Sequence, residues 1–168
     1  MTRRLPWVQR LQGVGSVVLL LVSLLGCARV NDLGKRFMAS SMNAVAVVNE
    51  TLLEGDVTLL MDRTGRVHLA APSPSGLTCR GEMLYTATRS GIINLRCSDG
   101  TDTRLEFGAL SDISGYASGS NTSGPVTLAF GMDASAAAAY LTLPAGQHMV
   151  RRDALVYLEP IHSPGDTP

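Results

Sequence analysis

Neither sign of charge dominates this 168-residue chain, in which 14 Lys+Arg face 14 Asp+Glu. It therefore lacks the basic excess that a nucleic-acid-binding protein carries. Charged residues are only 17% of the sequence and hydrophobic ones 45%, which excludes a disordered polyelectrolyte. Aromatic residues are scarce at 5%, while 17 Gly and 8 Pro imply frequent turns. The length allows one domain. Patterns that announce chemistry are also missing. There is no Gly-x-Ser-x-Gly, no phosphate loop and no His-Glu-x-x-His.

The zero balance averages two unlike pieces. Residues 1–26 carry Arg3, Arg4 and Arg10 and no acid, and the stretch Leu11–Ala28 is free of charge. Its apolar core, Val14–Gly26, is about 13 residues, short of the roughly 20 a membrane span needs and suited to a secretory signal peptide. The stretch closes on Leu24-Leu25-Gly26-Cys27. This resembles the bacterial lipoprotein lipobox: an aliphatic residue, a tolerant position, a small residue and a cysteine. The resemblance implies a diacylglyceryl thioether on Cys27, cleavage before it, and acylation of the new amine. Several acyl chains make a lasting anchor, at about 0.8 kcal/mol per buried methylene. Ala28 follows the cysteine, and under the sorting rule of enteric bacteria that implies the outer membrane. Without residues 1–26, the cations fall to 11 against 14 acids, so the mature chain is about −3.

The expected organisation is a signal peptide at 1–26, a lipidated tether at 27–50, a β domain at 51–159 and a disordered tail at 160–168. Met38–Val48 is small and apolar with no clear period. From there on, period-2 alternation dominates. Val57, Leu59 and Met61 share one face, Asp62–Gly65 reads as a turn, and Val67 and Leu69 return on the same side. A second hairpin is expected from Glu82–Thr88 and Ile92–Cys97 around Arg89-Ser90-Gly91. Leu105 with Phe107, and Val126 with Leu128 and Phe130, mark two more strands, and Ala154–Leu158 a last one. Asp133 is placed to cap a short helix near 134–142, ended by Pro144. The fold class is mainly β, a small antiparallel sheet, sandwich or barrel of about six to eight strands with one short helix.

Ser98-Asp99-Gly100 leads to Phe107-Gly108, and Ser123-Gly124 leads to Phe130-Gly131, so the two Phe-Gly pairs lie 23 residues apart. The cadence over residues 98–131 resembles MORN repeats. Two ordinary hairpins sharing turn chemistry are the other reading, since a solenoid normally needs three units.

With Cys27 lipidated, Cys79 and Cys97 form an even pair, which in an exported protein reads as a disulfide. A redox pair would sit closer, and two thiols without a neighbouring His make a poor zinc site. If Thr88 pairs with Ile92, Cys97 faces Met83, and the chain must bend near Gly81 for the sulfurs to meet.

The histidines point to no centre. His68 sits on a strand face opposite Val67 and Leu69, His148 in a loop and His162 in the tail, none with an acid or Cys at ligand spacing. Asp99 and Asp102 suit turn chemistry, or weak calcium binding without the full loop pattern. No catalytic residue, metal or cofactor is assigned. The Ser/Gly/Asn-rich Gly115–Gly124 reads as a mobile surface loop, so Gly115, Tyr116, Ser118, Gly119 and Asn121 are the candidate binding residues. Arg151-Arg152 offers a minor cationic pair. The functional expectation is a non-enzymatic envelope lipoprotein, lipid-anchored and facing the periplasm. Its β domain acts as a structural or protein-binding module, with a membrane and an envelope protein as partners and no nucleic acid. Ser114-Gly115-Tyr116 resembles a loop of the small lipoproteins that inhibit C-type lysozyme. That resemblance implies an eight-stranded barrel with a disulfide, and a periplasmic inhibitor of a lysozyme-like enzyme as the alternative role.

Overall fold

The computed structural model describes residues 39–72, 76–153 and 155–161. Cys27, the expected signal peptide, His162 and the expected tail beyond it lie outside the described residues.

Eight antiparallel strands follow one another in chain order and close into a barrel. They are β1 (Ser40–Val48), β2 (Thr51–Leu59), β3 (Thr64–Ala70), β4 (Thr78–Tyr85), β5 (Ser90–Cys97), β6 (Asp102–Ala109), β7 (Gly115–Asn121) and β8 (Gly124–Phe130). Closure is made by β1 on β8, from Ala44 opposite Phe130 to Val48 opposite Val126. A short helix α1 (Ala134–Ala138) and a two-stranded sheet of β9 (Gln147–Arg152) and β10 (Leu155–Pro160) complete the fold. The fold is thus mainly β, as the alternation predicts.

Alternation drives the barrel. Val57, Val67, Leu69, Ile93, Leu95, Leu105 and Phe107 point inward and are buried, while their sequence neighbours on β3, β5 and β6 face water. Met83, Val126, Leu128 and Phe130 join them in one continuous core. A barrel of this size is filled by its own side chains.

The domain begins earlier than the expected tether boundary allows, because β1 is a full member of the barrel. Ala44–Val48 is buried at every position. Ala44, Ala46 and Val48 face the barrel core, and Val45 and Val47 enter a second cluster with Leu52, Ala129, Ala137, Leu141 and Val156. A strand covered on both faces needs no alternation, so its sequence shows no period. The turn to β2 is Asn49-Glu50, both with positive φ, as a two-residue hairpin of matching twist requires.

The cover over β1 and β8 is built locally. The Asp133 carboxylate accepts from the Ala136 amide at 2.8 Å and starts α1. The helix ends at Ala138, short of the expected 142. The Thr142 amide instead donates to the buried Thr127 hydroxyl on β8 at 3.0 Å, which draws the chain onto the barrel. The β9–β10 hairpin packs Val156 against the cover and is tied to β2 where the Val156 amide donates to Glu54 Oε1 at 2.6 Å. Glu54→Ala would leave that amide unpaired at a site where Val156 is buried, at a cost of about 1–3 kcal/mol. We expect faster amide exchange throughout β9 and β10, with Glu54→Gln restoring most of the protection. Unchanged exchange in Glu54→Ala would show that apolar packing alone holds the hairpin.

Candidate functional site

Residues 115–121 do not form a loop. They are β7, paired with both β6 and β8. Gly115 and Ala117 face the interior, and Tyr116, Ser118 and Ser120 face outward. Small residues are needed here because a neighbour fills the space. A Cβ on Gly115 would lie 2.7 Å from Phe130 Cζ and 2.6 Å from the Gly108 oxygen. Only Thr122-Ser123 turns, with Asn121 Oδ1 accepting from the Ser123 and Gly124 amides at 2.8 and 3.1 Å. Of the expected binding residues, Tyr116 and Ser118 stay exposed, and Tyr116 stacks on Tyr140 with ring centroids 4.9 Å apart. Gly115, Gly119 and Asn121 serve the strand and its turn.

The same packing accounts for the 23-residue echo. Phe107 stands opposite Gly91 and Phe130 opposite Gly115, so each ring lies over a cross-strand glycine. On Gly91 a Cβ would lie 2.5 Å from Phe107 Cε1. The two segments are strands of one closed barrel sharing this device.

Cys79 and Cys97 are joined. They are direct cross-strand partners, so no bend at Gly81 is needed. The expected register of β4 on β5 was off by four residues. Tyr85 pairs with Gly91, and the connecting residues are Thr86–Arg89. Gly91 is therefore a strand residue, placed under Phe107, rather than a turn residue.

That register creates a feature the sequence did not reveal. On the outer face of β3–β6, His68, Arg80, Arg96 and Asp102 form one cross-strand row. The next row is Arg66, Glu82, Asn94 and Arg104. All eight side chains are exposed, and they line a groove of about 740 Å³. Arg96 binds Asp102 through two bonds of 2.6 and 2.8 Å. Among the described residues, Arg66, Arg80 and Arg104 have no ion-pair partner. Each of the four strands carries a single outward arginine, and only the register gathers them.

The rim from which β1 departs is different. Arg63 donates to the Ala87 carbonyl at 2.5 Å and lies over the Tyr85 ring, and Arg89 donates to the Ala109 and Leu110 carbonyls. These guanidinium groups hold the loops together. Burial raises the Tyr85 hydroxyl pKa above its usual value, partly offset by Arg63.

The two acids of the turn at residues 98–102 have structural partners. Asp99 accepts from the Thr101 amide and hydroxyl at 2.9 and 2.7 Å, and Asp102 is held by Arg96. His148 lies in β9 rather than in a loop, exposed, and Arg152 pairs with Glu159 at 2.5 Å. Among the described residues, no three His, Cys, Asp or Glu side chains gather as a metal site would require.

Hydrogen bonds to backbone and side chain hold Asp99 and Asp133 below the usual carboxylate pKa, and the Arg96 guanidinium does the same for Asp102. A depressed folded-state pKa adds stability that is present above the unfolded value, about 4, and is lost as pH falls through the folded value. Thermal midpoints should therefore be level above about pH 5 and fall toward pH 3. Asp102→Asn and Asp133→Asn should each reduce that fall. A midpoint that rises on acidification would contradict this assignment.

Compared with known proteins, the chain matches no family model, no curated protein and no solved structure.

Proposed function

We propose that the chain is a cell-envelope lipoprotein, anchored through Cys27 in the outer membrane and facing the periplasm. Its barrel acts as a non-enzymatic structural or protein-binding module. The observation that carries this reading is Leu24-Leu25-Gly26-Cys27 at the end of a charge-free apolar run preceded by three arginines. The joined Cys79 and Cys97 support it, since such bonds persist in oxidising compartments. The filled barrel core supports the binding role, because it leaves the outer wall and the rims as the surfaces that meet a partner. In-cell crosslinking of the tagged full chain, followed by recovery from membranes, tests the reading. A membrane-bound chain crosslinked to one reproducible envelope protein is expected. A chain recovered free in the soluble fraction would overturn it.

A second reading has one observation in its favour. The closed eight-stranded barrel with a single disulfide is the architecture implied by the resemblance of Ser114-Gly115-Tyr116 to lysozyme-inhibiting lipoproteins. A lysozyme assay with the purified chain separates the two. Stoichiometric inhibition would favour the inhibitor, and undiminished lysis would remove it.

A further inference from the structure

We propose that the outer face of β3–β6 is a binding site for a ligand carrying two closely spaced phosphate groups. The proposal does not depend on the lipid anchor.

The face sets four arginines against two acids, Glu82 opposite Arg66 and Asp102 bound by Arg96, which leaves an excess of positive charge. Arg80 and Arg96 are direct cross-strand partners on the same side of the sheet. Like charges placed this way destabilise a strand pair. The neighbouring rung is Cys79 opposite Cys97, so the disulfide clamps the two strands beside the repulsive pair. A covalent clamp beside juxtaposed cations suits a surface kept ready for an anion.

The built-in ion pair shows what kind of anion. Both oxygens of Asp102 are already engaged by a single guanidinium, that of Arg96. One carboxylate offers two oxygens and satisfies one planar fork. Arg66, Arg80 and Arg104 remain without ion-pair partners among the described residues, around one groove. Three guanidinium groups along one groove call for more acceptor oxygens and more charge, which phosphate supplies. These arginines stand on three strands, β3, β4 and β6. With strands about 4.8 Å apart, their roots span roughly 5–15 Å. Two linked phosphates match that spread better than one. The groove volume of about 740 Å³ accommodates a compact headgroup or a small phosphorylated molecule.

Titration calorimetry on the full chain in neutral detergent micelles tests this, with inorganic phosphate, pyrophosphate and a poly-glutamate peptide as probes. Pyrophosphate should bind saturably and about tenfold more tightly than inorganic phosphate. Arg80→Gln and Arg104→Gln should each weaken it about tenfold, and added salt should weaken it further. Both side chains are exposed, so thermal midpoints should stay level, or rise slightly where Arg80→Gln relieves the like-charge pair. A final arm adds cardiolipin, whose headgroup carries two phosphates, to the micelles. Displacement of pyrophosphate assigns the site to a lipid headgroup, and no displacement assigns it to a soluble phosphorylated compound. No saturable pyrophosphate binding, binding indifferent to both substitutions, or tighter binding of poly-glutamate would each overturn the proposal.

Discussion

Replacing both Cys79 and Cys97 by Ala is expected to destabilise the barrel by about 3 kcal/mol. The bond closes a sequence separation of 18 residues, and in the chain-entropy account that loop is denied to the unfolded chain. For a domain of this size the loss corresponds to a fall of roughly 10 °C in the thermal midpoint. Both cysteines are buried in the barrel core, so the Ala variant also loses packing. Reducing the wild-type chain separates the two contributions, because it opens the bond and leaves the sulfurs in place. The reduced wild type should show most of the shift. An unchanged midpoint on reduction would mean that the staple contributes nothing to a barrel already closed by hydrogen bonds.

The second large effect is expected at Phe130. Its ring is fully buried, sits on β8 where β1 closes the barrel, and covers Gly115 on β7. Phe130→Ala should cost about 3–5 kcal/mol. Gly115→Ala should cost about 1–3 kcal/mol by overpacking, because its Cβ would meet both the ring and the Gly108 oxygen. Since the ring is part of what the new methyl strikes, the double variant should be more stable than the sum of the two losses predicts, by at least about 0.5 kcal/mol. Denaturant unfolding of the four proteins measures this. Strict additivity would show that the ring and the glycine are packed independently, and that the phenylalanine-over-glycine device is no device.

How far the sequence could be read follows from where each residue faces. Val57, Val67 and Leu69 alternate with polar neighbours because one face of β2 and β3 meets water, and the pattern was plain. Asp133 marked the helix start because capping is a local interaction. Ala44–Val48 gave no period because α1 and the β9–β10 hairpin cover its outer side, a long-range fact. Gly115–Asn121 looked like a loop because its small residues suit turns. They are small for a different reason, namely the ring and backbone packed against them. The disulfide was legible from cysteine count, but its rung was not, because the Thr86–Arg89 connection carries no residue that fixes its length. The arginine face depended on that register and was hidden with it. Cys27, the carrier of the anchor reading, belongs wholly to sequence, outside the described residues.

The central claim is the anchor, and acyl labelling tests it most directly. Cells expressing the full chain are fed an alkyne palmitate, and the protein is recovered from membrane and soluble fractions. The account predicts label on the wild type in the membrane fraction and an unlabelled Cys27→Ala variant. An unlabelled wild-type chain, or label persisting in Cys27→Ala, would contradict it.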